Sequence, residues 1–244
     1  MNATKTTTEL KSLARELLLG KYKTFILAYV SMRAIILALT MVISAVTSSQ
    51  SVWAMVLEVL LSFILELISA VFSVGLIHFA LHIVRNQPYK VSDIFFAFTS
   101  HPDKAIIAKF LLFLLDVVCM LPTVLFCILY YIARDSYYLI LIACLLCAIG
   151  LVAAAVFHLS FEMVFYTLVD YPEASVIELF RYSLNVMRGH RIRLFYLVAS
   201  FLPMFILGVC SLGIGLLFVV PYLNTTLALF YQDVFYITEK ENEE

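Results

Sequence analysis

Three long stretches with almost no charge limit what this chain can fold into. Residues 25–46 and 110–131 carry one charged side chain each, and residues 139–157 carry none. A helix of ~20 apolar residues crosses the ~30 Å hydrocarbon core of a bilayer. Of the 244 residues, 64% are hydrophobic and 14% are charged, too little polar surface for a water-soluble domain. The chain is therefore predicted to be an integral membrane protein.

The apolar pattern predicts an all-α, polytopic transmembrane helical bundle that forms one domain over residues 1–244. The six expected spans are 24–46, 52–84, 104–131, 136–169, 194–210 and 214–237. The second and fourth are too long for one straight crossing, so they must tilt, break or extend beyond the bilayer. Gly75 and Gly150 are the expected weak points of these two spans, and Pro122 is expected to kink the third.

The placement of lysine and arginine predicts the orientation. Basic residues precede the first, third and fifth spans, whereas residues 47–51 and 211–213 contain none, and Arg134 is alone in the third loop. Short loops rich in lysine and arginine remain on the cytoplasmic side. Both termini are therefore expected in the cytoplasm.

A short amphipathic helix is predicted before each pair of spans, at residues 8–19, 92–98 and 172–188. Ser92 is the expected cap of the second, and Val176, Phe180, Leu184 and Met187 form the expected apolar face of the third. The pattern suggests three parallel repeats, at 8–84, 92–169 and 172–237. The alternative is that amphipathic linkers are simply common in cytoplasmic loops.

Ionisable side chains inside the spans are candidate cavity residues, because each has an insertion cost of ~2.5–3.5 kcal/mol. Arg33 and Asp116 are the expected pair, although Arg33 could instead snorkel or lock two helices together. The even-numbered spans are expected to surround a cavity open to the cytoplasm. Its expected lining comprises Arg33, Glu66, His78, Asp116, His158, Glu162, Tyr222 and Asn224.

Two pairs of side chains have a spacing that could suit a metal. His78 and His82 share one helix face at i, i+4, and His158 and Glu162 repeat that spacing. Together they could offer four ligands to a transition metal. The spacing is unspecific and no H-E-x-x-H motif is present, so we expect no metal and no other cofactor. Lining of a water-filled vestibule or solvation at the membrane interface are the alternatives.

A basic segment precedes the fifth span. Its side chains are expected to contact anionic lipid headgroups or a membrane protein partner, with the bilayer itself as the main partner. No nucleic acid is expected, because that would need a clustered basic face on a soluble domain. The contact residues are Arg181, Arg188, His190, Arg191 and Arg193.

The C-terminal third resembles a known family. The segments are FRYSLNVMRGHRIRLF at 180–195, LGIG at 212–215, PY at 221–222 and ALFY at 228–231. They resemble a family of bacterial, mostly Gram-positive, polytopic membrane proteins of unknown function. They are similar, more distantly, to the membrane domain of some glycerophosphodiester phosphodiesterases. The resemblance implies six spans in the bacterial cytoplasmic membrane without a catalytic domain, and it supplies no catalytic residues.

Three functions remain open from the sequence. The leading one is a non-enzymatic protein that binds or moves a small or lipid-like ligand through a cytoplasm-facing cavity, or supports envelope homeostasis. The alternative is a partner-binding accessory subunit of an exporter or of a peptide-immunity system. The third is an intramembrane metal-dependent enzyme.

Overall fold

A computed structural model describes residues 5–49, 51–133 and 137–243, and its regular structure in these ranges is helical. The all-α prediction is therefore confirmed. Arg134 and Ser136, which entered the loop and span predictions, lie outside these ranges. A 3₁₀ turn covers Val91–Phe95. The α-helices are α1 (Thr7–Leu18), α2 (Tyr22–Val46), α3 (Val52–Val84), α4 (Phe96–Thr99), α5 (Pro102–Ala133), α6 (Tyr137–Phe161), α7 (Val164–Asp170), α8 (Val176–Val186), α9 (Arg191–Ala199), α10 (Leu202–Cys210) and α11 (Leu216–Glu243).

Several helical segments in the described ranges are long and apolar enough to cross a membrane, which confirms a multi-pass membrane protein at this level. The sixth predicted span falls in α11, which is not among them. Polar residues such as Asn224 and Thr225 lower the hydropathy of α11, and Thr225 is buried within the bundle. The five segments are Tyr22–Val46, Val52–Val84, Pro102–Ile132, Tyr138–Asp170 and Arg191–Cys210.

The predicted weak points of the long spans are positions of close packing instead. α3 continues through Gly75, where an added Cβ would lie 2.1 Å from the backbone oxygen of Ile94. The fourth span is interrupted between α6 and α7, and not at Gly150, where a Cβ would lie 2.6 Å from a backbone oxygen of α5. Small residues at such positions let helix backbones approach each other within the membrane. α5 likewise continues past Pro122.

α1 and α8 begin with the same reciprocal cap. The hydroxyls of Thr6 and Ser175 accept hydrogen bonds from the backbone N–H groups of Glu9 and Glu178. The two carboxylates accept from the backbone N–H groups of the capping residues, at 2.7 and 2.8 Å. Each cap satisfies two N–H groups that a helix start leaves without partners. These backbone hydrogen bonds lower the pKa of both carboxyls.

Two details of the predicted amphipathic segments were wrong. Asp93, and not Ser92, caps the second segment, because its carboxylate accepts from the backbone N–H of Lys90 at 2.7 Å. On α8, Leu184 is exposed, and the hydroxyl of the buried Ser183 donates to the Ser160 carbonyl at 2.9 Å. An apolar pattern does not select a buried serine, so it misplaced this face. The residues buried there are Leu179, Ser183, Val186 and Met187.

The main hydrophobic core lies on the side of the basic loops. α3 and α11 contact each other there, and both also contact α1 and α2. The remaining lengths of α2, α3, α5 and α6 expose many large apolar side chains, which is the surface expected of helices in lipid. Side chains buried completely in the core include Phe25, Phe79, Ile83, Met163 and Phe230.

A charged cluster fixes three helices at the edge of this core. Arg85, which follows α3, donates from its two terminal nitrogens to the two carboxylate oxygens of Asp170, at 2.8 Å each. The hydroxyl of Tyr231 on α11 donates to Asp170 Oδ2 at 3.0 Å. The hydrogen bonds with Asp170 raise the pKa of Arg85. The cluster therefore holds the ends of α3 and α7 against α11.

Candidate functional site

A chamber of about 390 Å³ lies where α2, α3, α5, α6, α7 and α11 meet. Its wall combines apolar and aromatic side chains with a few polar and charged groups, as in many small-molecule sites. The lining residues are Tyr29, Met32, Arg33, Ser73, Leu76, Ile77, Lys109, Leu112, His158, Phe161, Glu162, Phe165, Tyr166, Val220, Asn224 and Leu227.

The chamber lies well inside the helical spans. Arg33 is eleven residues beyond Tyr22, the start of α2, which corresponds to about 16 Å along the helix. Lys109 is seven residues beyond the start of α5, about 10 Å, and Glu162 lies eight residues before the end of α7, about 12 Å. The polar groups of the chamber therefore lie about two to three helical turns from the nearer ends of these segments.

Packed side chains lie between the chamber and the basic loops, and the cytoplasmic opening of the cavity stays a prediction. Ile77 and Tyr166 line the chamber. One turn closer to the loops, Ala80 and Leu81 are completely buried, and so is Thr167. This packed layer separates the chamber from Arg85 and the loops.

Two ion pairs border the chamber. Lys109 Nζ lies 2.7 Å from Glu66 Oε1, and His158 Nε2 lies 2.9 Å from Asp116 Oδ1. The predicted pairing of Asp116 with Arg33 was wrong, because helix α6 brings His158 to Asp116. All four side chains remain 32–58% exposed, so they face space beside the helices and not the packed core.

Arg33 differs from Lys109 and His158 in its contacts. Its Nε donates to the hydroxyl of Tyr29 at 3.0 Å, and its guanidinium lies 5.4 Å from the centre of that ring. No ion pair to Arg33 is formed within the described ranges. A guanidinium has five N–H donors, and this contact uses one of them. Arg33 thus brings a positive charge into the chamber without a carboxylate beside it.

Three other predicted cavity residues border the same space. Glu162 is exposed and lines the chamber, as does His158 four residues before it. Asn224 also lines the chamber, and its Nδ2 donates to the Val220 carbonyl at 2.9 Å. Glu66 lines an adjoining cavity of about 270 Å³ that shares Arg33 and Lys109 with the chamber.

Sequence reasoning missed Lys109 as a site residue. Lys109 lies seven residues before Asp116, and residues 105–133 of this helix carry no other charge, so the two share one face of an apolar segment. That spacing was the available signal. The basic loop before the span obscured it, because a lysine near the start of a span also serves as an orientation signal.

His78 was placed wrongly in the cavity. Its ring stacks on Phe96 with centroids 3.8 Å apart, and its buried Nδ1 has no hydrogen-bond partner in the described part of the chain. One ligand atom each of His78, His82 and Asp93 lie within 4.8 Å of one another. The structure therefore groups the two histidines with Asp93. His158 and Glu162, the other two weakly predicted metal ligands, line the chamber instead.

Tyr222 does not line the chamber either. It is buried, packs edge-on against Phe201 with centroids 5.0 Å apart, and donates from its hydroxyl to the Lys11 carbonyl at 3.1 Å. The Tyr222 hydroxyl therefore anchors α1 to α11. Polar residues near the start of an apolar helix can line a cavity or bind a neighbouring helix. The sequence does not distinguish these two roles.

The basic segment before α9 divides into surface and interior residues. Arg181 and Arg188 are exposed, as a headgroup or partner contact requires, whereas Arg191 and His190 are partly buried. Arg193 was predicted wrongly as such a contact. Its guanidinium pairs with Asp233, donates to the Lys5 carbonyl at 2.5 Å and lies over the Phe230 ring. Arg193 therefore joins the N-terminal segment to α9 and α11.

Comparison with protein families gives one match, over residues 1–237, to the family described as "Protein of unknown function (DUF975)". No curated protein and no solved structure matches the chain. The expected resemblance to an uncharacterised family is confirmed. Its bacterial and Gram-positive character and the likeness to phosphodiesterase membrane domains stay predictions.

Proposed function

Because the chain belongs to the DUF975 family, whose function is unknown, we propose a function from the geometry of the chamber. The protein is a non-enzymatic membrane protein that binds or moves a small or lipid-like ligand within the bilayer. The chamber carries this proposal, because its volume of about 390 Å³ lies within the ~300–1,000 Å³ typical of ligand sites. Charged residues at this depth are costly and usually functional.

The interruption between α6 and α7 supports the same function. It lies at Glu162 and Met163, and Glu162 lines the chamber. Non-helical backbone at membrane depth is tolerated where protein buries it or where it borders a cavity. A broken span beside charged groups is also a feature of the substrate sites of many transporters.

Native mass spectrometry of protein released from its own membranes tests this function without knowledge of the ligand. The test variant is Ser73→Trp, which places an indole in the chamber. The matched control is Ile64→Trp on the same helix, where the side chain is exposed away from the chamber. Wild type and Ile64→Trp should retain a bound molecule of the same mass, and Ser73→Trp should lose it. Equal retention by all three proteins, or none by any, contradicts the proposal.

We propose that α11 is the sixth crossing and that both termini lie in the cytoplasm. The supporting contact is Arg193, which bonds both the Lys5 carbonyl and Asp233 and so places the two ends of the chain at one face. Four candidate spans lie between Lys5 and Arg193, and a fifth, Arg191–Cys210, follows it. The chain must then return across the membrane to reach Asp233. Reporter fusions should place the tail and the Arg188 loop in the cytoplasm of a bacterial cell; an external tail contradicts this topology.

We also propose the threefold repeat. The first helix after each amphipathic segment buries side chains at i, i+3 and i+7. Gly20 and Gly189, 169 residues apart, both have positive φ, and the capping pairs of α1 and α8 have the same separation. Replacing residues 175–189 by 6–20, a segment of equal length, should preserve folding better than a scrambled segment; equal loss contradicts the repeat. The buried triplets are Phe25, Ala28 and Met32; Ala105, Ala108 and Leu112; and Leu194, Leu197 and Phe201.

A partner-binding accessory subunit is the second candidate, favoured by the exposed Arg181 and Arg188. Their joint replacement by glutamine should abolish function in an accessory subunit and leave a chamber protein active. Arg193 is unsuitable for this test, because its buried contacts with Asp233 would be lost with the charge. Elemental analysis of the purified protein separates the third candidate, because a metal-dependent enzyme requires a stoichiometric ion.

A further inference from the structure

An apolar groove on the outside of the bundle joins the chamber at Arg33. The groove has a volume of about 630 Å³ and runs between α2 and the turn that precedes α11. Tyr29 and Arg33 line both the groove and the chamber. From these two residues the groove continues along Leu37 to Thr40 on α2, opposite Leu217. Seven residues separate Arg33 from Thr40, which corresponds to about 10 Å along the helix.

The polarity of this combined space changes along its length. The walls of the groove beyond Arg33 are almost entirely aliphatic, as a hydrocarbon chain requires. The chamber behind Arg33 contains Glu162, Asn224 and the two bordering ion pairs. A ligand that fills both parts must therefore have one polar end and one apolar end.

The charge at the junction determines the sign of the polar end. Lys109 and His158 already have carboxylates within 3 Å. Arg33 has only the neutral hydroxyl of Tyr29 within the described ranges. A guanidinium with donors to spare recognises phosphate by paired N–H···O bonds, and such bonds are stronger inside a medium of low dielectric constant.

We propose that the chamber and groove together bind one membrane lipid with an anionic headgroup. Its phosphate lies on Arg33, and one acyl chain lies in the groove between α2 and α11. This inference rests on the proposed function and specifies the class of its ligand. A lipid, and not a soluble phosphate, is the occupant, because the groove lies on the exposed surface of α2 and its walls are aliphatic.

Binding measurements on the purified, delipidated full-length protein test the inference. The probes are phosphatidylglycerol, phosphatidylcholine and the chain-free anion glycerol phosphate, and the readouts are native mass spectrometry and the ligand-induced rise in Tm. Phosphatidylglycerol should bind at one molecule per chain and more tightly than phosphatidylcholine. Glycerol phosphate should bind much more weakly, because it leaves the groove empty. Stronger binding of glycerol phosphate than of the lipid overturns the inference.

Two variants address the two ends of the ligand separately. Arg33→Gln should weaken phosphatidylglycerol at least about tenfold, equivalent to ~1.4 kcal/mol, whereas Arg33→Lys should retain part of the affinity. Leu37→Trp fills the groove and should weaken the lipid without altering the response to glycerol phosphate. Lys23→Gln is the control, since it removes an exposed cation of the same helix outside both cavities.

The outcomes separate this inference from the proposed function. Equal weakening by Arg33→Gln and Lys23→Gln means general attraction of lipid to a basic surface, and it overturns the inference. Unchanged lipid binding in Leu37→Trp overturns it too, and that result does not depend on whether Arg33→Gln folds. If these variants bind lipid normally while Ser73→Trp still loses the retained molecule, the function stands and the assigned ligand class is wrong.

Discussion

The Arg85–Asp170–Tyr231 cluster allows a quantitative prediction of stability. Asp170→Asn preserves the shape of the side chain and removes the negative charge that two nitrogens of Arg85 contact. The arginine then remains beside the core without its counter-charge. We expect a less stable protein, because a partly buried charge that loses its partner has no water shell to replace it.

The exposure of the pair sets the magnitude. Exposed ion pairs contribute ~0–1 kcal/mol, and breaking a fully buried pair costs ~3–5 kcal/mol. The side chains of Arg85 and Asp170 are 30% and 16% exposed, which is between these limits. We therefore expect Asp170→Asn to lower the free energy of unfolding by about 2 kcal/mol. At ~2–4 °C per kcal/mol for a chain of this size, the Tm should fall by about 4–8 °C.

Thermal unfolding of the purified protein in detergent measures this effect. Glu173→Gln is the control, because its contact with His101 is at the surface and the Glu173 side chain is 91% exposed. A double-mutant cycle with Arg85→Gln then isolates the pairwise contribution. The reasoning is refuted if Asp170→Asn melts within the change caused by Glu173→Gln, or if the cycle shows no coupling between Arg85 and Asp170.

Three further predictions concern packing, capping and the third member of the cluster. Gly75→Ala should lower the Tm strongly in the same assay, because the new Cβ would lie 2.1 Å from the rigid Ile94 carbonyl oxygen. The loss of unfolding free energy should exceed the ~1–3 kcal/mol of ordinary overpacking. An unchanged Tm would contradict this close approach. Backbone hydrogen bonding lowers the pKa of Glu178 in the folded state. The ionised carboxylate should therefore stabilise the protein fully above the unfolded pKa near 4.5, and this stabilisation should be lost as the pH falls through the lower folded pKa. Glu178→Gln should therefore show a smaller decrease in Tm over that acidic range, and an identical pH profile would count against the cap. Tyr231→Phe removes one hydrogen bond to Asp170 and should destabilise less than Asp170→Asn; a larger loss of Tm would assign the main role to the tyrosine.

The predicted bounds of several helices, which depend on local properties, were accurate. The capped helix α1 and the long apolar helices α2 and α3 lie close to their expected bounds. Helix formation needs only neighbouring residues, and an apolar run of sufficient length needs no knowledge of its packing partners. Charged residues such as Glu162 and Arg33 are conspicuous in apolar spans for the same reason, and both line the chamber.

The predictions that named a partner across the bundle were the inaccurate ones. Asp116 was assigned to Arg33 but pairs with His158, which is 42 residues away in the sequence. Arg193 was assigned to the membrane surface, yet its guanidinium contacts two other segments of the chain, at Lys5 and on α11. Nothing in the spacing of either residue specifies which helix becomes its neighbour.

The sequence by itself determined that this chain dissolves in a bilayer as helices, because hydrocarbon offers no partner for backbone N–H and C=O groups and each helix satisfies its own. It also identified the charged side chains that lie within apolar segments and that therefore need a partner or a function. Only the tertiary structure decided that Lys109 and His158 each lie beside a carboxylate, and that Arg33 lies at the end of an apolar groove. Charge pairing and cavity shape arise from the relative positions of several helices, and periodicity within one helix carries no information about those positions.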